Sequence, residues 1–230
     1  MKPICIIPAR AGSKRLPGKN KIDFNGVPII THPIRAALES ELFHGVIVST
    51  DDPDIMIIAA NECADVDNRP KHLCGDDMEE TNVYLHVLRD LKRHGHELPE
   101  YFCAIYPTAA FITPGDIIGA HQKLISDEAD ACMGVTKFDV HPYRMMAYDS
   151  EGFLFRRWPE LNESPSREFP AAFASNGTLY WFRTAAFLKN PTYCPAKLSG
   201  YETHAVDIDT PEDLKRAQDQ INGPAFLNGK

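Results

Sequence analysis

The chain has 230 residues, of which 43% are hydrophobic and 24% charged, so it can bury enough apolar surface for one sizeable globular domain. Its formal net charge of −8 argues against nucleic-acid binding, which depends on a basic surface. No stretch approaches the roughly 18 apolar residues of a membrane span, and the apolar run after Met1 is too short for a signal-peptide core. We therefore expect a cytoplasmic protein with no membrane partner.

Strand-like and helix-like runs alternate along most of the chain. The order begins with "PICIIP", "ITHPIRAALES", "GVIVSTDD" and "PDIMIIAANECA", and it continues with "TNVYLHVLRDLKRHG", "YFCAIYPT", "PGDIIGAHQKLISDE" and "ADACMGVTKF". This pattern predicts an α/β, Rossmann-like fold with a mainly parallel sheet flanked by helices. Ligands of such sheets bind at the carboxyl ends of the strands, so we expect "ARAGSK", "STDD" and "YPTAAF" to share one edge.

The alternation breaks between residues 138 and 173, where aromatic residues, prolines and paired charges replace it. It resumes with "NGTLYWF" and closes with "HAVDIDTPEDLKRAQDQI". We therefore expect a single domain over residues 1–230, with residues 138–173 inserted as a dimerisation or substrate arm.

The first chemical signal is the basic segment "IPARAGSKRLPGKN", which follows a strand-like run. It does not fit the Walker A pattern, because five residues separate Gly12 from Gly18, Pro17 has no amide hydrogen and Asn20 replaces the hydroxyl residue. Four cations nevertheless lie within ten residues, among small residues that allow close approach to the main chain: Arg10, Lys14, Arg15 and Lys19. The segment is either a solvated basic turn or a binding loop for a small phosphate-bearing anion.

The second signal is the acidic pair in "AVDIDTPEDL". Strand alternation places Asp207 and Asp209 on one face and turns Ile208 towards the core. Thr210 then caps a helix that has Pro211 at its first position. The pair alone suits either a solvated strand end or a Mg²⁺ site. Together with the basic loop, it indicates metal-assisted nucleotidyl transfer.

The six cysteines form no CxxC pair, so we expect buried thiols rather than a zinc site or disulfides. The histidines share no metal-ligand spacing and are expected to have surface or packing roles. His141, close to Arg144, is the histidine whose role most needs a test.

Seven motifs in this order resemble the acylneuraminate cytidylyltransferases, also called CMP-nonulosonate synthetases, over nearly the whole chain. They are "IPARAGSKRLPGKN", "VIVSTDD", "RPKHLCGDD", "YPTAAF", "HPYR", "FPAAFASNGTLYW" and "DIDTPED". The opening loop also resembles the 3-deoxy-manno-octulosonate cytidylyltransferases, but Asn20 and "YPTAAF" favour the acylneuraminate branch.

The resemblance implies a glycosyltransferase-A-like nucleotidyltransferase fold. It also implies a reaction in which CTP and a nine-carbon 2-keto sugar acid give the CMP-sugar and pyrophosphate. In this interpretation the main chain of Ala9 and Arg10 meets the nucleotide, and the catalytic set is Arg10, Lys19, Asn20 and Asp209. Further nucleotide contacts come from Gly12, Ser13, Lys14, Arg69, Asp77 and Thr81. Mg²⁺ binds between Asp207 and Asp209, and the sugar hydroxyl gives its proton to Asp209 or to water.

The resemblance assigns sugar recognition to Tyr106, Arg144, Ser166, Arg167, Asn176 and Tyr180. Ser166 and Ala174 stand where the sialate-type pattern has arginines, and Arg144 stands where it has lysine. These differences argue against N-acetylneuraminate, and "YPTAAF" with Tyr106, "SREF" with Ser166 and "LYWF" with Trp181 look more like the pseudaminic acid cytidylyltransferases. We therefore expect a homodimer that makes CMP-pseudaminate. The alternatives are CMP-N-acetylneuraminate or CMP-legionaminate synthesis. Less favoured are 3-deoxy-manno-octulosonate transfer and a catalytically dead sugar-nucleotide-binding subunit, since Lys19, Asn20, Asp207 and Asp209 are all present.

Overall fold

The computed structural model describes residues 1–204 and 207–222. In chain order the strands are β1 (Ile4–Pro8), β2 (Asp23–Phe24), β3 (Val27–Pro28), β4 (Gly45–Thr50), β5 (Asp65–Asn68), β6 (Tyr101–Ile105), β7 (Ala131–Lys137), β8 (Met146–Tyr148), β9 (Leu154–Arg156), β10 (Phe173–Arg183) and β11 (Leu198–Glu202). The α-helices are α1 (Thr31–Glu39), α2 (Pro53–Asn61), α3 (Glu80–Arg93), α4 (Pro114–Ser126), α5 (Thr184–Lys189) and α6 (Pro211–Asn222). Short 3₁₀ turns lie at Lys19–Lys21, Lys71–Leu73, Pro142–Arg144, Pro159–Leu161 and Ser166–Glu168.

Seven of these strands form one sheet in the order β11-β7-β10-β6-β1-β4-β5. β10 runs antiparallel to β6 and β7, whereas the other neighbouring pairs are parallel. β1 is central and buried along its whole length, as expected for an apolar run covered by helices on both faces. The predicted mainly parallel α/β sheet is thus confirmed.

Parallel β1, β4 and β6 all end at the edge of the sheet where the three polar turns begin. The backbone amide of Ala11 donates to Asp51 Oδ1 at 2.8 Å, which joins the turn after β1 to the turn after β4. Tyr106 follows β6 at the same edge. The sheet therefore brings "ARAGSK", "STDD" and "YPTAAF" together as predicted.

Several elements differ from the sequence-based expectation. The edge strands β5 and β11 and the short helix α5 were not predicted, and the antiparallel direction of β10 was not foreseen. The expected closing strand is not formed by Asp207–Asp209, and Ala205 and Val206 lie outside the described residues. The predicted cap of α6 is confirmed, because the Asp213 amide donates to Thr210 Oγ1 at 3.1 Å.

The predicted burial of the cysteines is only partly correct. Cys5, Cys103 and Cys132 are buried in the sheet, but Cys63 and Cys194 are exposed. Cys63 adopts a left-handed backbone conformation just after α2, which places it in a surface turn. None of the helices in the described ranges combines the length and apolar character that a membrane-crossing helix requires.

His121 in α4 packs its ring on Trp181, with the ring centroids 4.3 Å apart. Its Nε2 atom is buried and has no hydrogen-bond partner among the described residues. Burial therefore lowers the pKa of His121 below its ordinary value of 6.5. The neutral ring is accommodated, whereas an imidazolium would need a partner.

We expect the free energy of unfolding to fall as the pH drops below about 6.5, because the unfolded chain then binds a proton at His121 that the folded chain does not. His121→Phe should flatten this pH dependence between neutral pH and pH 5, as measured by urea unfolding at each pH. His72→Gln is the control, because His72 is exposed, and it should leave the pH dependence of the unfolding free energy unchanged. Parallel pH profiles of wild type and His121→Phe would contradict the assignment.

Candidate active site

A cleft of about 420 Å³ opens at the carboxyl ends of β1 and β6. Cations from the basic loop line one side, and the acidic pair that precedes α6 lines another. Ten of the residues predicted from the sequence line this cleft: Arg10, Gly12, Ser13, Lys14, Lys19, Asn20, Arg69, Tyr106, Asp207 and Asp209. Residues more than 190 positions apart in sequence therefore meet in one site.

Asp76 pairs with two cations of the basic loop, Arg10 and Lys14. Its carboxylate accepts from Arg10 Nη1 at 2.6 Å and forms an ion pair with the Lys14 ammonium. Hydrogen bonds from Lys14 and Arg10 lower the pKa of Asp76 below its ordinary value. Asp76 is thus the counterion of both loop cations, and an anionic ligand that entered the cleft would compete with it for them.

Two main-chain groups of the loop already make hydrogen bonds within the protein. The amide of Ala9 donates to the Ser49 carbonyl at 2.9 Å, so this amide is not free to donate to a nucleotide. Asn20 is only 5% exposed, and its Nδ2 donates to the Arg10 carbonyl at 3.0 Å. Because a carbonyl can only accept, this bond fixes the amide orientation and leaves Oδ1 buried without a partner among the described residues.

The two carboxylates of the acidic pair face the cleft on either side of Ile208, which is buried in a cluster with Phe24 and Ala217. The Thr108 hydroxyl donates to Asp207 Oδ1, while Asp209 pairs with the Lys19 ammonium and with Arg15 Nη2, the latter at 2.7 Å. Burial raises the pKa of Asp207, the Thr108 hydrogen bond opposes this rise, and the negative charge of Asp209 adds to it.

The acidic pair meets the requirements of a Mg²⁺ site. Within the described residues, no cluster of three or more histidine, cysteine or acidic side chains offers a metal cage made of protein alone. Mg²⁺ typically binds one or two carboxylates and takes its other ligands from substrate phosphates and water. Burial is the main cause of the raised pKa of Asp207, and the repulsion from Asp209 that adds to it is the kind of interaction that a bound cation relieves.

Arg69 forms part of the cleft and is only 4% exposed. Its Nη2 donates to the Ser49 carbonyl at 2.7 Å, and its Nε donates to Ser49 Oγ at 3.3 Å. The Ser49 hydroxyl in turn donates to Asp67 at 2.6 Å, and His86 lies 3.4 Å from the same carboxylate. Burial lowers the pKa of Arg69, but the ordinary pKa of a guanidinium is so far above neutral pH that Arg69 stays charged.

The sequence of this chain matches a known protein family. The sequence profile of the family described as Cytidylyltransferase matches residues 4–149, which include the basic loop and Arg69. The chain belongs to the cytidylyltransferase family. It is a CTP-dependent nucleotidyltransferase, which confirms the enzyme class implied by the resemblance and the nucleotidyl transfer expected from the basic loop and acidic pair.

Curated relatives of this cytidylyltransferase extend over nearly its whole length. A pseudaminic acid cytidylyltransferase from Campylobacter jejuni is 30% identical over 95% of both chains. A CMP-N,N'-diacetyllegionaminic acid synthase from Legionella pneumophila is 31% identical over 93% of both chains. An N-acylneuraminate cytidylyltransferase from Streptococcus agalactiae is 26% identical over 93% of this chain and 52% of its own.

Among solved structures, CMP:2-keto-3-deoxy-manno-octonic acid synthetase complexed with CTP superposes with a TM-score of 0.70. The alignment covers 96% of this chain and 99% of that chain at 19% identity, so it shows the fold alone. The expected nucleotidyltransferase fold of the cytidylyltransferase is thereby confirmed.

Several predicted site residues do not line the cleft. Asp77 is exposed, and its neighbour Asp76 contacts the basic loop instead. Thr81 is buried in α3. Asn176 bonds to Thr178 in β10 and to Thr203 just after β11, and Tyr180 lies behind Tyr106 with 5.6 Å between their ring centroids.

Arg144 is the hydrogen-bonding centre of the arm rather than part of the cleft. Its guanidinium donates to Ser166 Oγ at 3.2 Å and to the carbonyls of Leu161, Asn162 and Ser164, and it lies over the Phe169 ring. His141 is likewise committed to the arm, because its two ring nitrogens bond to the Pro170 carbonyl and the Tyr143 amide. Arg167 is exposed on the same arm.

We expect Arg144→Ala to loosen the arm, because the substitution removes every one of these guanidinium contacts. Limited proteolysis within residues 145–165 should accelerate by about tenfold or more, the change produced by ~1.4 kcal/mol of lost local stability. Arg157→Ala is a matched control, since Arg157 is exposed and its side chain makes no hydrogen bond among the described residues. Equal cleavage rates in the two variants would contradict the structural role of Arg144.

Four polar or charged cleft residues were not assigned a role from the sequence: Arg15, Asp76, Glu80 and Thr108. Arg15 was counted as a loop cation without an individual role, and its pairing with Asp209 depends on long-range folding. Asp76 lay inside the quoted "RPKHLCGDD" motif and Glu80 three residues after it, but neighbouring acids cannot be distinguished without the path of the turn. Thr108 had a signal in "YPTAAF", whose position after a buried strand predicts a cleft residue.

Proposed function

We propose that this protein is a CMP-nonulosonate synthetase that transfers CMP from CTP to a nine-carbon 2-keto sugar acid and releases pyrophosphate. The observation that carries the proposal is one cleft in which the basic loop faces Asp207 and Asp209. The relatives named for this reaction, aligned over almost their whole length, support it.

The residues of the cleft suit nucleotidyl transfer by positioning and charge. Arg10, Lys14 and Lys19 can each exchange a carboxylate partner for a triphosphate oxygen, because their present partners lie at the cleft surface. Neutralising the pyrophosphate leaving group lowers the barrier, since negative charge builds there as the bond to the α-phosphorus breaks. Buried Arg69 adds a fixed positive charge beneath the nucleotide.

Asp207 and Asp209 are the residues that would hold Mg²⁺. The metal would supply charge neutralisation at the phosphates and would orient them for in-line attack. Asp209 is also a candidate acceptor for the proton of the sugar hydroxyl, with water as the alternative. Titration with Mn²⁺ followed by electron paramagnetic resonance tests the metal site without relying on activity, and Asp207→Asn should weaken the binding.

For the sugar we propose pseudaminate. Ser166 and Ala174 stand where the sialate-type pattern has arginines, and the Tyr106 ring, with Tyr180 behind it, makes one wall of the cleft aromatic. The legionaminate relative is as similar as the pseudaminate relative, so legionaminate and N-acetylneuraminate remain the alternative substrates.

We further propose that the protein acts as a homodimer through the arm formed by residues 138–173. Tyr148 and Phe153 are 72% and 68% exposed, and neighbouring apolar side chains extend this surface. A large exposed apolar patch of this kind is typical of a protein–protein interface. A second copy of the same chain is the partner we propose, because most soluble oligomers are symmetric homo-oligomers. In this arrangement Arg167 from the arm of one copy is the candidate cation for the substrate carboxylate in the other.

The test is an assay of pyrophosphate release with CTP, Mg²⁺ and separate nonulosonic acids, with light scattering of the same sample. We expect turnover with pseudaminate and a dimeric mass at micromolar concentration. No turnover with any nonulosonic acid, in protein that binds CTP, would overturn the proposed reaction. A fully active monomer would overturn the proposed dimer.

A further inference from the structure

Three tyrosine hydroxyls from separate elements form a chain beside the cleft. Tyr106 follows β6 and lines the cleft, Tyr193 follows α5, and Tyr84 lies in α3. The Tyr106 and Tyr193 hydroxyl oxygens are 3.3 Å apart, and those of Tyr193 and Tyr84 are 3.1 Å apart. Since Tyr84 is completely buried, the chain runs from the cleft into the protein core.

The chain has a direction. The geometry makes Tyr193 the donor to Tyr84. A phenol carries a single hydroxyl proton, so Tyr193 has none left to give to Tyr106 and must accept from it. Burial raises the pKa of all three phenols, which keeps them protonated at neutral pH. The Tyr106 proton is thus directed away from the cleft, and the Tyr106 oxygen has only lone pairs left to offer.

Glu80 adds a second hydrogen-bond acceptor to this wall. It lines the cleft near the tyrosines, and its side chain makes no hydrogen bond or ion pair with another described residue. A carboxylate and an acceptor oxygen repel phosphate and carboxylate groups but attract O–H and N–H donors. This wall therefore differs in chemistry from the cation-rich loop that faces it.

We propose that Tyr193, backed by Tyr84, is a positioning residue that fixes Tyr106 as a hydrogen-bond acceptor for the sugar acid. The wall would then select a substrate that presents a hydroxyl or an N-acylamino N–H group to Tyr106. This inference rests on the proposed function, because it assigns the Tyr106 side of the cleft to the sugar.

The test is Tyr193→Phe, which keeps the ring packed against Tyr180 but removes the hydroxyl. The Tyr106 proton then loses its Tyr193 acceptor and is free to turn to the cleft, where it opposes a substrate donor. We expect the KM for the sugar acid to rise about tenfold, the effect of one lost buried hydrogen bond. The kcat and the KM for CTP should stay within about twofold, a split that general loosening of the fold would not produce.

A double-variant comparison separates positioning from packing. Tyr106→Phe should also raise the KM for the sugar, and adding Tyr193→Phe to it should cause no further rise, because Tyr193 acts through Tyr106. Tyr101→Phe, at the opposite end of β6, is the control for loss of a hydroxyl and should leave the sugar KM unchanged. If Tyr193→Phe does not fold, Tyr84→Phe replaces it, since it frees the Tyr193 proton to reverse the chain.

An unchanged sugar KM in folded Tyr193→Phe, or equal rises in the KM values for sugar and CTP, would overturn the inference. Additive effects in the double variant would overturn it as well. These results are distinct from failure of the proposed function, which would appear as absence of turnover with every nonulosonic acid in the wild-type enzyme.

Discussion

Asp209→Asn is expected to lower kcat by about a hundredfold or more, because it removes one of the two carboxylates that would face the reacting phosphates in the proposed reaction. The KM for CTP should not rise. Asp209 forms ion pairs with Lys19 and Arg15, so its neutralisation leaves two cations free for the triphosphate. A fall in kcat with equal or tighter CTP binding is therefore the expected result, measured by pyrophosphate release and by calorimetry.

Asp76→Asn is a matched control for Asp209→Asn. Asp76 also pairs with two loop cations, Arg10 and Lys14, but it is not one of the two carboxylates before α6. Its substitution should lower kcat far less than that of Asp209. Similar losses in the two variants would show that Asp209 acts only by ordering the loop, and wild-type turnover in Asp209→Asn would refute its place in the catalytic machinery.

N-acetylneuraminate is expected to be a poor substrate relative to pseudaminate. The arginines of the sialate-type pattern are replaced by Ser166 and Ala174, so polar groups of N-acetylneuraminate would lose charged partners on leaving water. Each missing charge-assisted hydrogen bond is worth roughly 1.5 to 3 kcal/mol, so two would cost about two to four orders of magnitude in kcat/KM. Pseudaminate has a methyl group at C9 and needs fewer hydroxyl contacts at that end.

Both sugars should be compared at saturating CTP, with pyrophosphate release as the readout. Legionaminate belongs in the same series, because its named relative is as similar to this chain as the pseudaminate relative. Equal kcat/KM values for N-acetylneuraminate and pseudaminate would reject the pseudaminate proposal and leave cytidylyl transfer intact.

The sequence predicted the centre of this fold because the central strands carry strong signals. "ICIIP" and "GVIVST" are long apolar runs that only a buried parallel sheet explains easily. The edge strands were missed for the opposite reason. β5 reads "DVDN" and β11 reads "LSGYE", and such short, polar segments become strands only because β4 and β7 offer them unpaired edges.

The site was predictable where chemistry is concentrated in a short segment. The basic loop and the acidic pair were each visible as local motifs, and the sheet brings them together. The role of Arg144 was not visible, because its partners are mainly backbone carbonyls of the arm whose positions depend on the fold. Tyr193 gave no signal either, since its partners Tyr84 and Tyr106 lie far away in sequence.

The most direct test of the central claim is identification of the product. The enzyme would be incubated with CTP, Mg²⁺ and pseudaminate, and the mixture would be analysed by ³¹P nuclear magnetic resonance and mass spectrometry. We predict a phosphodiester of CMP and the sugar acid, formed in equal amount with pyrophosphate. Free CMP with pyrophosphate, or no CMP-sugar with any nonulosonic acid while CTP still binds, would contradict the proposal.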